Sequence, residues 1–346
     1  MEHKILYLSY DNVKNVDLSM AEVIKAVEKG FMEMGNGRVE MPPKPGIHPG
    51  EGGDNFIHAM PAYIPAMKSA GIKWVSGYPG NQQKGLPYIA GLLILNDTET
   101  GMPLAVMDCS WITGMRTGAA SAVSAKYLAR KESSTIGILA CGLQGHTNLE
   151  AMSVLFPLKK VLAFDPNKEQ SKKLAEYASK KFGIEAEIVA DPRKAVTGCD
   201  IVVTSGPILK VPHETIKAGW VDEGAFVSCV DFDSFFSRDA LSEASKWTTD
   251  NLDQYNHYKN NVGYFKQCPE IYAELGELVT GKKAGRENDK EKNFAANLGL
   301  AMEDMAVAPL VFSFQKSERK RHWDVALYVI FYLFEALKED IRASKN

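Results

Sequence analysis

At 346 residues the chain exceeds the usual size of one compact domain, so its length favours two domains, each able to bury a core, with a cleft between them. A hydrophobic fraction of 45%, a charged fraction of 24% and a formal charge of −3 are ordinary globular values, and they exclude the strongly basic character of a nucleic-acid or anionic-membrane binder. Cys109, Cys141, Cys199, Cys229 and Cys268 are scattered and never form a CxxC pair, which argues against a disulfide framework and a structural zinc and suits a reducing cytoplasm.

The amino-terminal MEHKILYLSYDNV has too short an apolar run for a secretory signal and lacks a small-residue cleavage site. Residues 19–34 begin with a Ser19 N-cap, carry Glu22 three places on and place apolar residues at 20, 23, 24, 27 and 31, a pattern that predicts an amphipathic helix. The Pro- and Gly-rich stretch 35–53 reads as loop, and the runs FIHAM, GIKWV, YIAGLLIL and PLAVMD that follow read as strands of an antiparallel-looking sheet. Small residues at helical spacing in MRTGAASAVSAKYLAR, from Met115, predict a closely packed helix bridging the two domains.

Beyond it strands and helices alternate: strand 135–140, helix from about 145, strand 161–164, helix 167–182, strand 184–189, helix, strand 200–205, helix, strand 225–230 and strand 246–250. That alternation predicts an α/β fold with a Rossmann-type doubly wound, mostly parallel sheet. The basic patch KSERKRH leads to an apolar stretch from Trp323 to Leu337, which Asp324 and Glu335 interrupt. It falls short of the roughly 20 apolar residues of a membrane span and reads as a helix buried at a domain or subunit contact. The expected division is residues 1–123 with 318–346 as an α+β substrate-binding and dimerisation domain, and 124–317 as the dinucleotide-binding domain.

The segment from Ile138 to Gly145 follows a strand and opens a helix, the context that turns a glycine pattern into a dinucleotide site. Gly142 would let the backbone approach a pyrophosphate, Gly145 would allow close helix–strand packing, and the helix N-terminus would face the negative charge with free N–H groups. Ala140 stands where the pattern has its first glycine. Asp165 closes the second strand 23 residues after Gly142, where an acid binds the ribose hydroxyls and repels a 2′-phosphate, so NAD is expected rather than NADP. The alternative is an ordinary strand–helix turn with a capping aspartate.

Four further positions carry candidate chemistry. Arg116, at the start of a predicted helix, would be opposed by the helix dipole unless it held an anion such as a substrate carboxylate or cofactor phosphate, or paired with a surface acid. Lys73, between Ile72 and Trp74, would be partly desolvated with a lowered pKa and able to polarise a carbonyl or position water, or would be an edge-strand lysine that blocks aggregation. Asp231 and Asp233 follow the strand AFVSCV at the end where open α/β sheets bind ligands, as proton carriers or as turn residues. His58 and His146 lie near candidate sites without ligand spacing to another His or Cys, so no metal is expected, and no Ser or Cys has a neighbouring base for covalent catalysis.

The blocks MPAY (60–63), GIKWVSGYPGN (71–81), GLP (85–87), LNDTETGMPLAVMD (95–108), ITGMRTGAASAVSAKYLAR (112–130), the CGLQG turn, and GR followed by NLGLAMEDMAVA (297–308) resemble the ornithine cyclodeaminase/mu-crystallin family. The resemblance implies Lys73 and Asp233 as catalytic residues and Arg116 as the grip on a substrate carboxylate. It places Lys44 where many members carry a carboxylate-binding arginine, and His58 where ornithine-specific enzymes carry a glutamate for the distal ammonium. It extends the cofactor contacts from Gly142, Gly145 and Asp165 to Thr117, Leu143, Gln144, Pro166, Asn167 and Ser205. Phe232, Phe235 and Phe236, in a stretch that replaces one containing Gly and Pro in relatives, would line a different pocket or belong to the core.

The implied function is NAD-dependent chemistry at the α-carbon of a small amino acid in a homodimeric enzyme, in the manner of an ornithine cyclodeaminase. The alternatives are an amino-acid dehydrogenase, a cyclic ketimine reductase, or a non-catalytic binding protein of the crystallin branch.

Overall fold

The computed structural model describes residues 4–50 and 55–317, so the apolar stretch at 323–337 and the assignment of 318–346 to the first domain lie outside the described residues. The first third builds β1 (Leu6–Leu8), α1 (Tyr10–Lys14), α2 (Met20–Gly35), β2 (Gly46–Ile47), β3 (Phe56–Ile64), β4 (Ser69–Gly77), β5 (Ile89–Asn96) and β6 (Pro103–Asp108). α2 starts where the sequence places it: the Ser19 Oγ accepts from the Glu22 N–H while the Glu22 carboxylate accepts from the Ser19 N–H, which satisfies orphan donors at the helix start. Its apolar positions 20, 23, 24, 27 and 31 are all buried. The six strands form one sheet in the order β1-β6-β5-β4-β3-β2, antiparallel except that β1 runs parallel to β6.

α3 (Ser110–Leu128) packs on α2 and β5 on one side and on α4 (Leu143–Leu155), β11 (Phe226–Cys229) and β14 (Asn293–Ala296) on the other, so it touches both sheets. Its small side chains permit that approach: from Gly118 to Ala125 every residue is buried. The second sheet contains β7 (Thr135–Leu139), β8 (Lys160–Phe164), β9 (Glu185–Ile188), β10 (Ile201–Thr204), β11, β12 (Lys246–Thr249), β13 (Ala273–Glu274) and β14. All eight are parallel, in the order β13-β12-β14-β11-β10-β7-β8-β9. The chain winds outward from β7 through β8 and β9 and from β10 through β11, β12 and β13, before β14 inserts between β11 and β12, so the carboxyl ends of β7 and β10 mark the crevice where a doubly wound sheet takes its ligand.

Three predicted helices differ. The bridging helix begins at Ser110 rather than Met115. The helix expected between strands 184–189 and 200–205 is a single turn, Pro192–Ala195. The one expected between β10 and β11 does not form, because Gly206, Pro207, Pro212 and Gly219 interrupt it. That segment instead bonds to the turn after β11, through His213 N–H to the Ser234 carbonyl (2.9 Å) and Ile216 N–H to the Phe235 carbonyl (2.7 Å). β14 was not predicted: four residues, NFAA, lack β-branched side chains and alternation, and only burial between β11 and β12 makes them a strand. A last helix begins at residue 301 and runs to the end of the described chain. Removing the α2 cap by Ser19→Ala is expected to lower stability by about 1 kcal/mol in denaturant titrations.

Candidate active site

At the crevice, β7 passes into α4 through Ala140, Cys141 and Gly142. Ala140 adopts φ +73°, the left-handed conformation that the missing glycine would take without strain. Gly142 caps α4 with no side-chain hydrogen bond, and a Cβ on it would point into open space, leaving the backbone approachable. A Cβ on Gly145 would lie 2.8 Å from the Ala140 carbonyl oxygen, which is the close packing its motif position demands. Asp165 Oδ2 accepts from the Cys141 N–H and Oδ1 from the Asn167 N–H, both at 2.8 Å, so its carboxylate ties the two adjacent turns together. Each oxygen keeps a further lone pair beyond these bonds. Ser205 Oγ donates to the Ala140 carbonyl at 2.8 Å, fixing the end of β10 against the same turn. Pro166 and Asn167 are exposed beside Asp165, while Thr117 is buried on α3 and donates to the Thr113 carbonyl at 2.7 Å. An uncapped helix start, an open glycine and a partly satisfied acid fit a dinucleotide with a free 2′-hydroxyl.

The second half of the site is a buried cluster of charges. Lys73 sits on β4, a central strand, so the edge-strand alternative is excluded. The β3–β4 register sets Met60 opposite Lys73 and His58 opposite Val75, which puts the histidine and lysine on one face of the sheet. The Lys73 ammonium lies 2.7 Å from Asp304 Oδ2 and 3.4 Å from Thr113 Oγ1. Burial, followed by the Arg116 charge, pushes its pKa down, and Asp304 opposes the shift. Arg116 lies beyond the first turn of α3, where the dipole is no longer felt, so the helix-start argument for it does not hold. What it holds is a pair of buried acids: Nη1 donates to Glu303 Oε2 at 2.8 Å and Nε to Asp304 Oδ1 at 3.3 Å. Its Nη2 makes no hydrogen bond among the described residues. Gly299, at φ +74°, gives this guanidinium room, because a Cβ there would stand 2.4 Å from Nη1.

Lys44 reaches the same place from the loop before β2. Its ammonium donates to the Leu298 and Gly299 carbonyls, each at 2.9 Å, and lies 5.3 Å above the Tyr258 ring. Asp250 Oδ2 accepts the N–H groups of the same two residues at 2.7 and 2.9 Å. Burial brings Lys44 down to about 7 against the pull of Asp250, and burial raises Asp250 to about 7. His58 stacks on Phe56 with centroids 4.4 Å apart. Burial, then Lys44, His48 and Lys73, depresses its pKa to about 3, so the ring is neutral.

Asp233 has no ion pair with this cluster. It lies past the carboxyl end of β11, next to β14, whose own carboxyl end leads to Leu298 and Gly299. Phe232 packs on Tyr258, the ring beneath Lys44, with centroids 5.5 Å apart, which joins the two regions. The carboxylate is 3% exposed and its Oδ1 has no hydrogen-bond partner among the described residues. Burial raises its pKa, opposed by hydrogen bonds from its own and the Phe265 backbone. Asp231 instead accepts one hydrogen bond on each oxygen, from Thr204 Oγ1 at 2.6 Å and the Gly206 N–H at 2.7 Å, and fastens β10 to β11. Phe232, Phe235 and Phe236 are core. Sequence reasoning missed Asp250, Glu303 and Asp304. The last two stood in AMEDMAVA, where adjacent acids in an apolar helix were the available signal. No group of three metal-ligating side chains occurs among the described residues.

The chain matches the ornithine cyclodeaminase/mu-crystallin family over residues 6–319. It is 38% identical to an alanine dehydrogenase of Archaeoglobus fulgidus over 314 residues, covering 89% of this chain and 94% of that protein. Thermococcus litoralis Delta(1)-pyrroline-2-carboxylate reductase, in complex with NADH and L-proline, superposes with a TM-score of 0.81 at 36% identity, covering 91% of this chain and 98% of the other. An archaeal alanine dehydrogenase dimer with bound NAD gives the same TM-score of 0.81 and identity of 36%, over 91% and 97% of the two chains. The chain belongs to the ornithine cyclodeaminase/mu-crystallin family. A histidine held at about 3 is expected to keep its neutral-ring NMR shifts on acidification from about pH 8 to pH 4, whereas an ordinary histidine would titrate near 6.5.

Proposed function

We propose that this chain is an NAD-dependent oxidoreductase acting at the α-carbon of a small amino acid, interconverting it with its imine or cyclic ketimine. The observation that carries the reading is the convergence of Lys44, Lys73 and Arg116 at the carboxyl edge of a nucleotide-type sheet, a surplus of buried donors suited to a carboxylate ligand. The alanine dehydrogenase and pyrroline-carboxylate reductase relatives support it. NAD, when bound, accepts the hydride in the oxidative direction and returns it in the reductive one.

Arg116 grips the carboxylate through its free Nη2, and Lys44 contributes charge beside it. Lys73, kept in place by Asp304 and easily deprotonated for a lysine, polarises the imine or positions water against it. Asp233, with an unbonded oxygen and a raised pKa, moves the proton on the substrate nitrogen. Gly142, the uncapped start of α4 and Asp165 hold the pyrophosphate and ribose.

A cyclodeaminase acting on ornithine is less favoured, because its distal ammonium needs an acceptor and the neutral His58, itself beside Lys44, offers none with charge. A non-catalytic ligand binder would have no use for the open oxygen of the buried Asp233. The same reading assigns residues 1–123 with 318–346 to substrate binding and dimerisation and 124–317 to the nucleotide. Trp74 and Leu92, paired across β4 and β5 and 50% and 43% exposed, give the first sheet an apolar outer surface for a second copy.

The test is a screen of small amino acids and cyclic imines that follows nicotinamide absorbance and ammonia together. Net NADH exchange is expected, and ammonia release without it would mark a cyclodeaminase. On the best substrate, Asp233→Asn is expected to lower kcat by about 10²- to 10⁴-fold while leaving NAD affinity in place; full turnover would remove Asp233 from proton transfer.

A further inference from the structure

The cluster that receives the substrate is electrically balanced. Lys44, Lys73 and Arg116 supply three positive charges, and Asp250, Glu303 and Asp304 supply three negative ones. Lys73, Arg116, Asp250, Glu303 and Asp304 are at most 6% exposed, and the ammonium end of Lys44 is enclosed with them. A proton passing between Lys44 and Asp250 leaves the sum at zero. A zwitterionic amino acid is itself neutral and preserves the balance, but a carboxylate with no basic nitrogen adds one uncompensated charge among buried side chains. A buried site answers such a charge by changing protonation rather than by bearing it.

From this geometry we infer that Glu303 is the proton acceptor of the site, taking one proton from solvent whenever an anionic, ammonium-free carboxylate occupies Arg116. The inference rests on the proposed function, since it takes Arg116 as the carboxylate grip. Of the three acids, Glu303 is the one that ligand binding exposes to loss. Asp250 keeps two backbone N–H bonds and Asp304 keeps the Lys73 ammonium at 2.7 Å, both independent of Arg116. Glu303 has one cationic partner, Arg116 Nη1 at 2.8 Å, and otherwise only the Leu300 N–H at 3.1 Å. A carboxylate on Nη2 draws on the same guanidinium charge, which weakens what Arg116 offers Glu303 through Nη1. The groups facing it are Arg116 from α3, Asp304 beside it, and, through the field of the site, Asp250 and Lys44; burial, with Asp304, already pushes its pKa up while Arg116 holds it down. The step is a protonation alone: a solvent proton joins a Glu303 oxygen and no electrons move.

The consequence is selectivity by net charge. The site takes an amino-acid zwitterion without pH penalty and takes the corresponding anion more weakly as pH rises. The test uses the full chain saturated with NADH, titrated by calorimetry in buffers of different ionisation enthalpy, with pyrrole-2-carboxylate as the anion and L-proline as the zwitterion. Close to one proton taken up per pyrrole-2-carboxylate and none per L-proline is expected, with affinity for the anion falling as pH rises, by up to about tenfold per pH unit. Glu303→Gln should bind the anion without uptake and with a flat pH profile, while Lys44→Arg, which keeps the charge at that position but cannot change its protonation, should retain the uptake. Tight binding of the anion to the wild-type protein without uptake overturns the inference, as does uptake that persists in Glu303→Gln; these outcomes leave the proposed function standing. Failure of both ligands to bind would overturn the proposed function and the inference together.

Discussion

The pairing of Arg116 and Lys73 with Glu303 and Asp304 is the constraint around which the rest is arranged. It joins three elements remote in sequence: α3, the centre of β4, and the helix beginning at residue 301. Taking these charges out of water is costly, and the cost is recovered only while every partner stays in place; removing one partner from such a buried pair typically destabilises by about 3–5 kcal/mol. The arrangement therefore does more than hold two sheets together. It fixes the positions of a guanidinium and an ammonium before any ligand arrives, which is what preorganised binding of a carboxylate requires.

The turn at the end of β7 depends on the same economy of fixed groups. Ala140 accepts a left-handed backbone, and its carbonyl and neighbouring N–H are held by Ser205 and Asp165 respectively. The glycine pattern can lose its first member because these hydrogen bonds impose the conformation that glycine would have allowed freely. Asp165 is thus a turn-binding residue as the capping alternative had it, while its remaining lone pairs are compatible with the ribose role. The two descriptions do not compete.

Much of this was legible in the sequence where the signal is local. The Ser19–Glu22 capping box marks the start of α2, and the short apolar runs GIKWV and YIAGLLIL, set off by turn residues, mark the central strands. What could not be read there depends on contacts across the fold. NFAA becomes β14 only by insertion between β11 and β12, and the connection after β10 stays extended because it finds partners in Ser234 and Phe235. For the site, Lys73 and Arg116 stood out as cations in apolar or small-residue surroundings, but their counter-ions lie well over a hundred residues away. The dipole argument for Arg116 failed because the helix begins a turn and more earlier, and the anions it holds are the buried Glu303 and Asp304 rather than a surface acid.

The central claim is that this preorganised cluster recognises the carboxylate of a small amino acid and presents its α-carbon to the nicotinamide. The most direct measurement compares NAD reduction with L-alanine and L-proline against their amides, which keep the α-carbon and nitrogen but lack the anion. Reduction of NAD by at least one acid, with loss of roughly two orders of magnitude or more in kcat/KM for its amide, is the predicted result, since each charge-assisted contact is worth about 1.5–3 kcal/mol. Equal rates with acid and amide, or no reduction with any small amino acid and no oxidation of NADH by any cyclic imine, would contradict it.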